Sequence, residues 1–300
     1  MSAHPASVPP VAAAPRAGIR LPGLSTGLGR GMVVLYLSLM VLLPLAAMVD
    51  ESLTRGLSGF WSAVSSEQSV AALKLTVGCS LIVVAINAVF GTVIAWVLVR
   101  DEFPGKGAVN ALIDLPFALP TIVAGLTLLT LYGPNSPIGL DVAGTRAAIV
   151  MALCFITLPF VVRSVQPLLM EMDREMEEAS TSLGAGGLTT FRRIIFPNLL
   201  PGIVAGVMLA FARALGEYGS LILITGNIPF ETEVSSVFIR SQIESGNTAG
   251  ASAVSVVLLA LSVLMLIGVS LFARAGGRGE GSLLTRTVSR TLGRSEAMDS

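Results

Sequence analysis

Charge is scarce in this sequence. Only 13% of its 300 residues are Asp, Glu, Lys or Arg, where a soluble domain carries roughly a quarter. With 53% hydrophobic residues and a mean hydropathy of +0.80, a water-soluble globule is excluded and a membrane protein is indicated. Histidine is reduced to His4, in a Pro/Ala-rich stretch. The two cysteines, Cys79 and Cys154, each sit in an apolar run and read as small buried side chains rather than a disulfide or redox pair. Without a His/Cys cluster no metal site is expected. No G-x-x-x-x-G-K-[ST] phosphate loop occurs, and the one Gly-Lys pair, Gly105-Lys106, is followed by Gly107. Formal net charge is +0, so charge balance identifies no partner, and no nucleic-acid partner is expected.

The apolar residues form continuous runs rather than the alternation of a membrane barrel. About 20 apolar residues cross a bilayer as a helix, and six runs qualify: residues 32–49, 75–99, 109–132, 147–163, 199–225 and 250–273. The expected class is therefore an all-α membrane protein with six transmembrane helices occupying residues 31–275. Residues 1–30 and 276–300 read as cytoplasmic tails, the first disordered. Phe60 and Trp61 have the look of interfacial residues. Basic residues set the direction. With the N-terminus inside, Arg16, Arg20, Arg30, Arg100, Lys106, Arg163, Arg174, Arg192, Arg193, Arg274, Arg278, Arg286, Arg290 and Arg294 all lie inside. Only Arg55, Arg146 and Arg240 lie in outer loops, so both termini are expected inside. Asp50, Glu51, Glu67, Asp141, Glu231, Glu233 and Glu244 make the outer loops net negative.

Two runs carry features that a plain span does not. In 109–132, Pro116 and Pro120 each remove a helix hydrogen bond, one turn apart. Such a break is either a packing kink or backbone that lines a cavity. In 199–225 the stretch ARALGEYGS places Arg213 and Glu217 inside an apolar segment. At ~1.5 Å per residue they lie ~21 and ~27 Å beyond Leu199, in the outer half. Gly216 and Gly219 predict that the helix loosens there. The stripe Gly202, Gly206, Ala210, Arg213, Glu217, Ser220 is small and polar, so it is expected to face protein rather than lipid. The two charges either form a structural ion pair or shape a gate and pathway.

The longest inside connection is MEMDREMEEASTSLGAGGLTTFRRIIFPNLLPG, Met170 to Gly202. Acidic residues open it, apolar residues follow at helical spacing, and Gly184, Gly186 and Gly187 permit a tight turn between two short helices. It closely resembles the EAA loop of ABC importer permeases: Glu-Ala-Ala, three residues, Gly, nine residues, Ile, one residue, Leu-Pro. Here the positions are Glu178, Ala179, Ser180, Gly184, Ile194, Phe196 and Pro197, with Ser180 and Phe196 departing from the pattern while keeping its size or apolar character. The resemblance implies the type I importer permease fold and a short coupling helix that docks into a separate ATP-binding subunit. No cofactor is then bound by this chain; ATP and Mg belong to the partner ATPase, and the chain is a transport subunit rather than an enzyme.

LPFALPTIVAG (Leu115 to Gly125), ARALGEYGS and GNIPFETEVSS (Gly226 to Ser236) resemble the sulfate/molybdate group of these permeases. A sixth span at the N-terminus and the stretch ETEVSSVFIRSQIE are similar to the sulfate/thiosulfate type, its T-type subunit in particular. The resemblance implies a bacterial cytoplasmic membrane location. Its implied partners are an ATP-binding subunit dimer, a second homologous permease and an extracytoplasmic sulfate-binding protein. The alternatives are a molybdate/tungstate ABC permease and a secondary anion transporter. The latter would need coupling-ion residues, for which only Asp114, Arg213 and Glu217 are available.

Overall fold

A computed structural model describes residues 23–268 and Leu271. The tails read from sequence fall mainly on residues 1–22 and 272–300, outside the described residues, as do 269–270 and the last two residues of the sixth run. The described chain is helical, with no strand among the described residues. It divides into two units after Ala47.

Helix α1 runs as Gly23–Leu37, a π-helical turn Ser38–Leu42 and Leu43–Ser52. Residues 23–30, expected within a disordered tail, form the first turns of this helix. The long apolar run supplies the nucleus, and extending an existing helix backward costs far less than starting one. Short α2 (Gly56–Val64) carries Phe60 and Trp61. Next come α3 (Glu67–Arg100), the pair α4 (Lys106–Ala118) and α5 (Thr121–Tyr132), and α6 (Arg146–Glu171). They are followed by α7 (Arg174–Ser182), α8 (Gly187–Leu215), α9 (Leu221–Ile224), α10 (Ser235–Glu244) and α11 (Thr248–Gly268). Five of these are long and apolar enough to cross a membrane, and the bent pair α4–α5 brings the number to six.

The third run is not a straight helix. It turns by 115° between α4 and α5. Pro116 lies within α4, whereas Pro120 sits at the N-terminal cap of α5, so only the second proline marks the break. Leu119, held extended (ψ 133°) ahead of Pro120, shows the bias that proline imposes on its predecessor. One end of the pair packs on α6 through Arg163, and the other reaches α9.

The core is built by α3, α6 and α8. Val161, Val162, Val165, Leu199, Ala210 and Leu215 are fully enclosed. The small-residue stripe of α8 does face protein: Gly202, Gly206 and Ala210 are buried. A Cβ at Gly206 would stand 2.7 Å from the Val161 Cα, and one at Gly202 2.7 Å from the Ser164 carbonyl oxygen. The α6 and α8 backbones therefore touch directly, as small residues permit in membranes.

Helix α6 runs on to Glu171, eight residues past the apolar run, and straight through Arg163. That charge did not end the helix because protein satisfies it. All five guanidinium N–H groups have acceptors: both Asp114 carboxylate oxygens, the Asn110 side-chain and backbone oxygens, and Gln166. The Nε–Oδ1 distance is 2.7 Å. This fork fastens α4 to α6. Asp114, a coupling-ion candidate under the secondary-transporter reading, is thus committed to Arg163.

Candidate functional site

Two regions hold the residues singled out by sequence. The first is the 170–202 connection. Asp173 caps α7, accepting from the Glu175 N–H at 2.9 Å, and Gly184 ends the turn after α7 with φ +84°. A left-handed residue at this point strongly favours glycine. The expected second short helix is instead the start of α8, which continues into the span. The π-helical turn Phe191–Ile195 lies just before Pro197 and absorbs the ring and the missing N–H. Ser180, the departure from the loop pattern, has a definite role here: its hydroxyl meets the Thr190 hydroxyl at 2.9 Å and ties α7 to the base of α8. Ile194 is half-buried, and Phe196 and Pro197 are exposed.

The outer side of this hairpin is bare. Glu178 and Ala179 are exposed, Leu183 is 89% exposed and Leu188 81%. Beside Leu183 runs a cavity of about 490 Å³ lined by Met176, Ala179, Ser180, Leu183, Ala185, Thr189, Arg193 and Ile194. The opposite side is anchored. Arg100, the last residue of α3, forms an ion pair with Glu177 and lies over the Trp96 ring at 5.3 Å. Trp96 in turn meets Phe191 edge-on at 6.2 Å. Helix α7 is thus fastened to α3 as well as to the two helices it connects. The Arg100–Glu177 pair, 77 residues apart in the chain, was not legible from spacing.

The second region is where the two broken helices meet. Helix α8 ends at Leu215, Gly216 follows as its cap, and Glu217 to Ser220 leave helical geometry before α9. The expected loosening is there, and the 199–225 run ends its continuous helix ten residues early. Glu217 is nevertheless buried, 2% exposed. One carboxylate oxygen accepts from the Ser220 N–H (2.9 Å) and hydroxyl (3.0 Å), and the other faces Arg213 at 2.7 Å. Its carbonyl accepts from the Ser236 hydroxyl at 2.6 Å. A buried carboxylate with this many donors is a fully satisfied joint. Arg213 is about one-third exposed, and Glu217 is its only charged partner among the described residues.

The start of α5 presses on that joint. A Cβ at Gly219 would collide with the Thr121 hydroxyl, and one at Gly125 would stand 2.6 Å from the Ser220 carbonyl oxygen. Thr121, Gly125, Gly219 and Ser220 therefore form one contact, with Pro120 capping the helix beside it and Glu217, Gly216 and Arg213 behind it. Pro116 lies one turn earlier, within α4. Replacing Gly125 with Ala is expected to push α5 off the joint, costing about 1–3 kcal/mol as overpacking; the melting temperature of the purified chain reads it.

Residues 87–275 match the family described as binding-protein-dependent transport system inner membrane components. The chain belongs to that family. Its relatives include the sulfate transport system permease protein CysT of Salmonella typhimurium, 42% identical over 265 residues covering 86% of this chain and 95% of the relative. The CysT protein of Synechocystis is 42% identical over 254 residues, 82% and 89% of the two chains. Among solved structures, a bacterial ABC transporter that imports alginate superposes with a TM-score of 0.68 at 17% identity, over 84% of this chain and 96% of the other. An inward-facing methionine ABC transporter gives 0.54 at 20% identity, over 70% and 98%. These likenesses establish the type I ABC importer permease fold. The inner membrane component is multi-pass, as its apolar helices require.

At the end of this permease opposite α7, the acidic loop residues are unequal. Glu231 is exposed, but Glu233 is 5% exposed and accepts from the Gln68 amide at 2.8 Å. Glu244 pairs with Arg240 at 2.7 Å, and Arg240 also donates to the Tyr218 hydroxyl at 2.6 Å. Glu244 and Tyr218 together hold the Arg240 pKa above its ordinary value. Among the described residues no cluster of three or more His, Cys, Asp or Glu could hold a metal.

Proposed function

We propose that this chain is the transmembrane permease subunit of an ATP-driven sulfate/thiosulfate importer, of the T type. The observation that carries it is near end-to-end similarity, 41–43% identical, to relatives named as sulfate transport permeases. In this reading ATP is hydrolysed on a separate ATP-binding subunit dimer, which seats against the bare side of α7. Glu178, Ala179, Ser180, Gly184, Ile194, Phe196 and Pro197 form the coupling hairpin, and a rigid hairpin moves the helices it joins. The assembly contains a second homologous permease, and an extracytoplasmic binding protein delivers the anion. The chain itself catalyses nothing. It lies in the bacterial cytoplasmic membrane with both termini inside, which places α7 inside and the Arg240 end outside.

The contact among Thr121, Gly125, Gly219 and Ser220, at the break that Pro120 marks, is the outer gate, with Gly216 and Glu217 as its joint and Arg213 lining the anion path. Docking of the binding protein falls to exposed Glu231 and its neighbours. Buried Glu233 takes no part, and Glu244 is paired with Arg240. Uptake of labelled sulfate by cells deleted for this chain and complemented with it tests the substrate. Excess sulfate or thiosulfate is expected to compete and molybdate to compete weakly. Molybdate-selective competition would transfer the proposal to the molybdate/tungstate alternative.

A further inference from the structure

A second cationic feature lies away from the coupling hairpin and the gate. A cavity of about 400 Å³ opens between the first turns of α3, the start of α6 and the 226–234 loop. Its lining includes Lys74 and Arg146 above an apolar floor of Leu75, Gly78 and Ile82, with Phe230 at its edge. No lining residue is a carboxylate, and Lys74 has no ion pair among the described residues. This is unexpected at an end of the molecule whose loops are net negative.

The edge of the cavity is built rather than incidental. Phe230 has φ +66°, a conformation that is costly for a bulky residue and persists only where the surroundings enforce it. They do. The Ile228 carbonyl accepts from the N–H groups of Glu231, Thr232 and Glu233 at 3.1, 2.9 and 3.0 Å. The Thr232 hydroxyl accepts from the Ile228 N–H at 3.1 Å, and Arg146 donates to the Glu231 carbonyl at 3.1 Å. The loop thus holds Phe230, 58% exposed, beside the two cations.

Depth identifies the ligand class. Helix α3 has 34 residues, ~51 Å at ~1.5 Å per residue, and overruns a ~30 Å hydrocarbon core by ~10 Å at each end. Lys74, seven residues after Glu67, therefore falls ~10 Å along α3, at headgroup level. Arg146 is the first residue of α6 and sits at the same end. Below Lys74 on the same face of α3, Leu81, Ile82 and Val89 are 51%, 53% and 61% exposed, a strip suited to an acyl chain.

We propose that Lys74 and Arg146 bind a tetrahedral oxyanion in this groove, with the phosphate of an outer-leaflet phospholipid favoured by the apolar strip beneath it. The site does not rest on the sulfate reading. The test titrates the full-length chain in neutral detergent with phosphatidylglycerol, with diacylglycerol lacking the phosphate, and with inorganic sulfate. Bound lipid is read by native mass spectrometry. Lys74→Gln and Arg146→Gln are each expected to weaken phosphatidylglycerol binding about fivefold, while Lys74→Arg retains it and diacylglycerol binds poorly to every chain. Displacement of the lipid by millimolar sulfate would identify the free anion as a second source of the same chemistry; failure to displace it identifies the lipid. Equal phosphatidylglycerol binding by wild type and both Gln variants, or diacylglycerol binding as tightly, would overturn the proposal. Lys74 is exposed and its side chain makes no hydrogen bond or ion pair among the described residues, so its Gln variant is expected to purify as the wild type does.

Discussion

Replacing Leu183 with Asp is expected to strip the ATP-binding subunit from the purified complex and reduce ATP-driven uptake to background. Leu183 follows the last turn of α7 and is 89% exposed, beside a cavity of about 490 Å³ whose lining is mainly apolar. Leu183 and the apolar lining beside it form one contiguous exposed patch, the feature that marks a protein–protein contact. Anchor residues at the centre of such a contact cost about 2 kcal/mol or more on truncation, at least thirtyfold in affinity. A carboxylate adds the cost of desolvating a charge at an apolar contact. The hairpin itself should stand, because its internal ties are elsewhere: the Ser180–Thr190 hydroxyl contact, the Asp173 cap and the Arg100–Glu177 pair. Leu183→Met, apolar and of similar size, should co-purify the ATPase normally. Full co-purification and uptake by the Asp variant would show that the bare side of α7 is not the docking surface.

Glu217→Gln is expected to destabilise the chain by about 3 kcal/mol or more and to abolish uptake with it. The carboxylate accepts from both Ser220 donors and faces Arg213, inside an almost closed environment. An amide oxygen could still accept from Ser220, but the amide N–H groups would then point at the guanidinium. Removing one partner of a buried pair leaves the other uncompensated, which typically costs about 3–5 kcal/mol; Arg213, one-third exposed, sets the low end of that range. Glu217→Ala should be worse, since the Ser220 N–H also loses its acceptor. Arg213→Lys keeps a cation four residues ahead of Glu217 and should assemble. If Arg213 lines the anion path, uptake changes in that variant while the melting temperature does not. A Glu217→Gln chain that melts like wild type and fails only in transport would make Glu217 a pathway residue instead of a joint.

Helices announced themselves where apolar runs were uninterrupted, and the sequence reading failed where a charge was paired out of sight. Span four looked finished at Arg163 because a guanidinium ends an apolar run; Asp114, 49 residues away, keeps it inside α6. Span five looked as if it began at Leu199, since Arg192 and Arg193 precede it, yet α8 begins at Gly187 and carries both through a π-helical turn. Pro116 and Pro120 looked equivalent, but a proline inside a helix and one at a cap have different consequences. Conversely, the glycines around Glu217 did forecast the break in α8, because loss of helix there follows from local backbone freedom. What pattern could not supply was the meeting of the two breaks, Gly219 on Thr121 and Gly125 against Ser220. Glu233 looked like a free surface acid until Gln68 and its burial placed it inside.

The most direct test is uptake into proteoliposomes holding this chain with its second permease and ATP-binding subunits, with the binding protein supplied outside. Labelled sulfate should accumulate only with ATP inside and binding protein outside, and vanadate should stop it. Accumulation driven by an ion gradient without ATP, and indifferent to vanadate, would contradict the account and return the chain to the secondary transporters.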